Sequence, residues 1–327
     1  MSDQNWQATT SWHALERRAA TLNEIRRFFS ERDVLEVDTP ALMRAGATDL
    51  HLDSISASVH VAGRKQTMYL QTSPEFALKR LLATHGRSIF QIAKAFRDGE
   101  AGSRHNPEFT MLEWYRPGLS FEQLMAEVAD LVKALLKVDE VEFHSYRTLF
   151  QQTLDLDPFV ATEQQLEALC LQKTGCDMTG EPVSHCLDLL MSHCVEPELG
   201  VNRVSGEHKL TFVYDFPASQ AALSKVQVVD SIKVAKRFEL YVGGSELANG
   251  YDELIDGEEQ QQRFLRDLDE RVAQGKPKVA WDDKLVAALN HGLQECTGVA
   301  LGIERLLMLR YGYQSIADVI AFPFDRV

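Results

Sequence analysis

From residue 11 to 32, apolar side chains recur at Leu15, Ala19, Leu22, Ile25 and Phe29, with Arg17, Arg18, Arg26 and Arg27 off that stripe. A rhythm of three to four residues predicts an amphipathic helix. Residues 34–37 then read as a short strand, ended by Thr39 and Pro40. Further strand-like runs stand at 68–71, 89–93, 109–115 and 238–242, and helical patterns fill about 120–137, 258–274, 283–293 and 303–311. Gly275 is placed to cap the helix over 258–274. Strands come in consecutive runs instead of alternating singly with helices, which predicts an α+β fold with an antiparallel sheet flanked by helices. The stretch of about 145–210 mixes acidic helical segments with breaks at Gly175, Gly180, Pro182, Pro197 and Gly200, and reads as an insertion between two halves of the sheet. The sequence holds no internal repeat and no low-complexity tract.

Composition narrows the class. The 327 residues are 45% hydrophobic and 25% charged, the profile of a globular chain long enough to bury a sizeable core. A net charge of −14 repels phosphate backbones over most of the surface, which disfavours a broad nucleic-acid groove and leaves room for a local basic nucleotide pocket. The five cysteines, Cys170, Cys176, Cys186, Cys194 and Cys296, form no CxxC pair. His185 with Cys186 and His193 with Cys194 could be metal ligands; without zinc-site spacing, two buried turns of one helix is the favoured reading. No run of about 18 apolar residues occurs, and the polar start MSDQNWQATT does not read as a signal peptide, so a cytoplasmic protein without a membrane partner is expected.

Chemistry concentrates in three segments. In FRDGEAGSRHNPEFTMLEWYRP, residues 96–117, two extended stretches flank a loop rich in glycine and cations. Period-2 geometry puts Phe109, Met111, Glu113 and Tyr115 on one face, which suits a wall for a cationic ligand or, alternatively, a solvated sheet face. Arg97, Arg104 and His105 offer cations to a triphosphate. In RFELYVGGSELANGYDELID, residues 237–256, Glu239, Glu246 and Glu253 recur every seven residues. A regular strand would send Glu239 and Glu246 to opposite faces; a bulge or tight bend at Gly243 and Gly244 would return them to one. Carboxylates so gathered point to a metal or a cationic substrate, with acids on a surface hairpin as the alternative. In GVALGIERLLMLRYG, residues 298–312, Gly298, Ala300 and Gly302 suggest a strand approached closely by a ligand, before a helix opening with Glu304 and Arg305.

Together and in this order, the segments resemble the class II aminoacyl-tRNA synthetases. The first helix with VLEVDTPAL, residues 34–42, resembles motif 1, residues 96–115 motif 2, and 298–305 motif 3. TSPE at 72–75, RHNPEFT at 104–110 and the GG-x-E-x-x-NG-x-x-EL pattern at 243–254 are similar to lysyl-tRNA synthetase. HNPEFTMLEWYRP and FPASQA at 216–221 are more similar still to its short paralogues, the elongation factor P–lysine lysyltransferases. The resemblance runs from about residue 15 to the last residue and is thin over 145–205.

It implies one class II catalytic domain over 1–327, with an insertion at about 145–210 and no anticodon-binding domain. ATP and Mg²⁺ are the implied cofactors, a lysine isomer the small substrate, and a protein resembling elongation factor P, not tRNA, the acceptor. It implies a homodimer through the first helix and the motif 1 strand, burying the neighbourhood of Phe28, Phe29 and Leu35. Arg97 and Arg305 are the implied catalytic residues, Arg97 on the α-phosphate and Arg305 sandwiching adenine with Phe109. Asp98, Gly99, Glu100, His105, Asn106, Leu247 and Gly302 complete the ATP site, and Glu239 and Glu246 the metal site, Glu246 also touching ATP. Ser73, Pro74, Glu75, Glu113, Tyr115, Asn249, Glu253 and Ala300 line the amino-acid pocket. Departures from the synthetase pattern are Gly99 in a glutamate slot, with Glu100 one step later, and Ala300 and Ala248 in glycine slots. Added methyls narrow a pocket, shifting the expected substrate from α-lysine to (R)-β-lysine. The alternatives are tRNA charging, a catalytically inactive regulatory paralogue and a small-molecule ligase.

Overall fold

The computed structural model describes residues 6–327; residues 1–5, which open both the expected domain and the N-terminal stretch read as no signal peptide, lie outside the described residues. The chain forms two compact units. One runs to Leu119 and resumes at Leu254; the other is Ser120–Glu253.

The first unit opens with α1 (Trp12–Ser30), its start fixed by the Ser11 hydroxyl, which accepts the Ala14 amide. Its apolar stripe ends in Phe29, fully buried, stacked on Phe90 at 4.5 Å and edge-on to Trp114 at 5.2 Å. Phe28 is also buried, with the Arg32 guanidinium 3.6 Å from its ring centroid. Within the neighbourhood of Phe28, Phe29 and Leu35 expected at a dimer interface, the chain's own core already covers the two phenylalanines. Leu35, 55% exposed, and Trp12, 76% exposed, stay on the surface.

After β1 (Leu35–Glu36) come β2 (Leu42–Met43), β3 (Ser56–Val61) and β4 (Arg64–Leu70), a small antiparallel sheet in the order β2-β4-β3. Helix α2 (Glu75–His85) leads into β5 (Ile89–Phe96) and β6 (Glu108–Pro117), a long antiparallel pair joined by the cation-rich loop.

The second unit begins with α3 (Phe121–Leu136), whose Ser120 and Gln123 form a reciprocal capping box. It continues through β7 (Val141–Ser145), α4 (Tyr146–Leu154), α5 (Glu163–Thr174), α6 (Val183–Leu190), β8 (Leu210–Pro217), β9 (Val226–Val229), β10 (Ile232–Val242) and β11 (Ser245–Asp252). Its strands lie in the order β11-β10-β8-β7, antiparallel except for β7 with β8, and β9 pairs with β10. Residues 145–210 have a core: Tyr146, Phe150, Leu166, Leu190, Phe216 and Tyr241 pack in one buried cluster.

The chain returns to the first unit in α7 (Gly257–Ala273), α8 (Asp283–Gly292), β12 (Cys296–Gly302) and α9 (Ile303–Tyr311). Strand β12 adds to β6, giving β1-β5-β6-β12, antiparallel except for β1 with β5. Both units thus show the expected α+β class, with largely antiparallel sheets flanked by helices. No described helix is long and apolar enough to cross a membrane.

Candidate active site

In the first unit the site grows from the end of β5. Three successive amides are pinned there: Phe96 N–H to Gln71 O at 2.9 Å, Arg97 N–H to Pro107 O at 2.9 Å, and Asp98 N–H to Asp53 O at 2.8 Å. This fixes where Arg97 leaves the strand. Its guanidinium lies 5.1 Å from the Phe109 ring centroid and 3.5 Å from Glu100 Oε1. Gly99 turns the chain with φ 77°, its amide donating to Asp98 Oδ1 at 3.0 Å, so the acid that reaches the arginine stands one step further on, at Glu100.

His105 Nε2 accepts from Arg305 Nη2 at 2.9 Å. Partial desolvation, and then the nearby cations Arg305, Arg97 and Arg104, hold the surface-exposed imidazole below its ordinary 6.5, while Glu100 opposes them. Asn106 is spent on local structure: its amide donates to Glu108 O at 2.6 Å and its Oδ1 accepts the Phe324 N–H at 2.9 Å. Arg305 stands in the first turn of α9, which Gly302 begins. The adjacent Glu304, buried, accepts the Thr110 amide at 2.8 Å and Arg18 Nη1 at 3.0 Å, tying α9 to β6 and α1.

Strand β6 carries the pocket wall. Glu113 is 2% exposed and accepts from the Ser73 hydroxyl and, at 3.3 Å, from the Tyr115 hydroxyl. Its register partner on β12 is Ala300. The Ser73 hydroxyl also accepts the Glu75 amide at 3.0 Å, across Pro74, which occupies the N-cap position of α2. Glu75 is itself paired: Lys79, one turn on and 1% exposed, reaches its Oε1 at 2.7 Å.

In the second unit, Gly243 and Gly244 have φ 60° and 70° and close the β10–β11 hairpin, with Val242 paired to Ser245. Of the two expectations at the glycine pair, the tight bend is what forms. The bulge lies elsewhere, at Leu247, since Leu240 pairs with Ala248 and Tyr241 with Glu246. Tyr241 is two residues from Glu239 and opposite Glu246, so the two acids share a face because they sit on different strands. Asn249 is the partner of Glu239 in the register, and Glu253, 1% exposed, is bridged to Ser224.

Glu239 accepts from Arg237, from the Tyr241 hydroxyl and from Asn249 at 3.3 Å. Burial lifts it to about 7; Arg237 opposes that rise and Glu246 adds to it. Burial pushes the Tyr241 phenol well above 10, and its hydroxyl lies 3.2 Å from Glu196.

Sequence reasoning missed Lys79, Arg237 and Tyr241. Each had a signal: Lys79 follows Glu75 at the i,i+4 helical spacing, and Arg237 and Tyr241 flank Glu239 at period 2. The pair His185 and Cys186 lies on α6, and His193 and Cys194 on the π-helical turn Met191–Val195 that follows. His185 pairs with Glu181 at 3.0 Å, and burial pushes the neighbouring Cys170 thiol up to about 12.

The sequence matches the family described as tRNA synthetases class II (D, K and N) over residues 5–326. It is 46% identical over 325 residues to the elongation factor P–(R)-β-lysine ligases of Salmonella paratyphi A (strain ATCC 9150 / SARB42), Salmonella schwarzengrund (strain CVM19633) and Salmonella heidelberg (strain SL476), covering 98% of this chain and 98% of each relative. The motif 2 arm, the β6 wall and the β12–α9 turn lie within the matched residues. The chain belongs to the class II tRNA synthetase family.

Proposed function

We propose that this protein is a ligase that uses ATP to activate (R)-β-lysine as an aminoacyl-adenylate, releasing pyrophosphate, and transfers the acyl group to a lysine ε-amine of elongation factor P. The observation that carries the reading is Glu113, a carboxylate 2% exposed and held by the Ser73 and Tyr115 hydroxyls. A negative charge so buried favours an ammonium group over a neutral side chain. Ala300 is its register partner on β12, where a methyl in place of a glycine hydrogen would narrow a pocket. The printed names of the relatives, matched over nearly their whole length, supply the isomer and the acceptor.

Arg97 and His105 are the groups that would meet the phosphates, with Phe109 and Arg305 on the adenine. In its first role Arg97 offsets the charge that develops as the substrate carboxylate attacks phosphorus. In the first unit Asp98, Gly99, Glu100, Asn106 and Gly302 are the further proposed ATP-binding residues, and Ser73, Pro74, Glu75 and Tyr115 the proposed amino-acid-binding residues; in the second unit Leu247 is a proposed ATP contact, and Asn249 and Glu253 are proposed amino-acid contacts.

In the second unit Glu239 and Glu246 are the residues that would hold a divalent cation, which would have to share Glu239 with Arg237 and Tyr241. Both are acids on one hairpin face, and burial together with Glu246 opposes the charged form of Glu239, a cost that a bound dication offsets. Mg²⁺ held there would withdraw charge from the leaving pyrophosphate. The reading includes a homodimer at work in the cytoplasm, with protein instead of tRNA as acceptor.

Pyrophosphate exchange against a panel of amino acids tests the activation step. (R)-β-Lysine is the expected best substrate, with neutral amino acids rejected. Glu246→Gln is expected to lower exchange about a hundredfold or more without loss of fold. Near-normal exchange in that variant would remove Glu246 from the metal site.

A further inference from the structure

The Asp98 amide that helps set the motif 2 arm is bonded to neither β6 nor β12. It donates to the carbonyl of Asp53 at 2.8 Å, and Asp53 ends a strap, residues 46–53, that is fastened along its length to α7 and the chain after it. Gly46 N–H donates to Ala280 O at 2.9 Å, and the Thr48 hydroxyl to Asp267 Oδ2 at 2.9 Å. Arg271, 1% exposed, sends Nη1 to the carbonyls of Asp49 at 2.8 Å and Leu52 at 3.2 Å, and Nη2 to Asp53 Oδ1 at 2.7 Å. Lys276 Nζ reaches Leu50 O at 2.7 Å and Asp53 Oδ2 at 2.9 Å.

Two cations thus hold one carboxylate, and they keep the Asp53 acid below its ordinary value. They meet there because α7 ends in a left-handed turn. Gly275 has φ 75°, its amide donates to Val272 O at 3.0 Å, and the Lys276 amide donates to Arg271 O at 2.8 Å. That 6→1 bond brings Lys276 back alongside Arg271.

We infer that the strap is a positioning device for the ATP-contacting arm: Arg271 and Lys276 fix the Asp53 side chain, and the Asp53 carbonyl sets the Asp98 amide and with it the exit direction of Arg97. Asp53, Arg271 and Lys276 are positioning residues that act through Asp98, and the inference rests on the ATP reading of that arm. A fork from a guanidinium to two carbonyls and a carboxylate cannot be reproduced by a single ammonium, so Arg271→Lys loosens the strap while keeping the charge. Asp53→Asn keeps the shape and the backbone carbonyl and weakens both ion pairs.

Equilibrium dialysis of the full chain with ATP, followed by pyrophosphate exchange and thermal unfolding, tests this. Asp53→Asn and Gly275→Val are expected to raise Kd and KM for ATP by about tenfold, with KM for the amino acid changed less than about twofold, because a misplaced arm loses orientation rather than pocket contacts. Arg271→Lys is expected to follow the same ATP-selective pattern. Unchanged ATP affinity in Asp53→Asn overturns the inference. So does a parallel loss of ATP affinity, amino-acid KM and thermal midpoint, which marks a merely structural role. A wild-type chain that binds no ATP overturns the functional reading itself, and shows this before any variant is compared.

Discussion

Glu113 is held by the hydroxyls of Ser73 and Tyr115, whereas Glu239, 7% exposed, takes the Arg237 guanidinium and the Tyr241 phenol. The difference separates their proposed work, an amino-group anchor in one case and a metal ligand in the other. Replacing Glu113 by Gln keeps the volume and removes the charge. A buried charged hydrogen bond contributes roughly 2–3 kcal/mol, so KM for (R)-β-lysine is expected to rise about a hundredfold while KM for ATP stays put. Equal KM values for variant and wild type in pyrophosphate exchange would remove Glu113 from the pocket. His105 gives a test in pH. Its folded value lies below 6.5, so between the two values the unfolded chain binds more protons than the folded one. The neutral ring therefore supports the fold fully above 6.5, and that support is lost as pH falls through the depressed value. Chemical-shift titration of the ligand-free protein should find the ring half-protonated below pH 6.5. Stability measured on either side of that pH should fall more in wild type than in His105→Asn. A titration above 6.5 would contradict the contact with Arg305.

The β10–β11 hairpin does with one turn what a single strand could not: two glycines at positive φ fold β11 back on β10, so that Glu246, opposite Tyr241, lies on the same face as Glu239, two residues before Tyr241. That much was legible in the spacing of the glutamates and the glycine pair, and the wall of β6 was legible from its period of two. Helices α1, α3, α7, α8 and α9 were legible because each pairs an apolar stripe with a cap residue, Ser11, Ser120, Asp256 and Asp282 among them. Strand β2 has two residues, too few to show a period, and in β3 the alternation of Ala57, Val59 and Val61 with Ser56, Ser58 and His60 is a weak signal because the strand faces solvent along most of its length. Helices α4 to α6 are short and broken by glycine and proline, and their apolar residues match only in the assembled cluster around Tyr146 and Tyr241. Helix α2 hides its start behind Pro74 and buries Lys79, which a hydropathy pattern reads as exposed. The junction of α1 with β5 and β6 rests on Phe29, touching both Phe90 and Trp114. Phe29→Ala is expected to lower stability by about 3–5 kcal/mol, read from the denaturant midpoint. A loss under about 1 kcal/mol would mean that the junction collapses onto the gap.

At the scale of the whole molecule the net charge is −14, and the motif 2 arm sets the cations Arg97 and Arg104 against it. That contrast suits a small anionic nucleotide better than a long phosphate backbone, since the general field repels the second and a local pocket attracts the first. The proposed dimer would cover Trp12 and Leu35, exposed at the start of the first unit, in place of the phenylalanines that the core already holds. Sedimentation of the wild type is expected near twice 36.9 kDa, and of Leu35→Glu near 36.9 kDa, through a charge placed in the interface. A wild-type monomer at micromolar concentration would remove that assembly. The account as a whole turns on where the activated acyl group goes. Intact-mass measurement after incubation with ATP, (R)-β-lysine, elongation factor P and bulk tRNA addresses this directly. The account predicts one added lysyl mass on the factor and uncharged tRNA, and efficient charging of tRNA with α-lysine while the factor keeps its mass would contradict it.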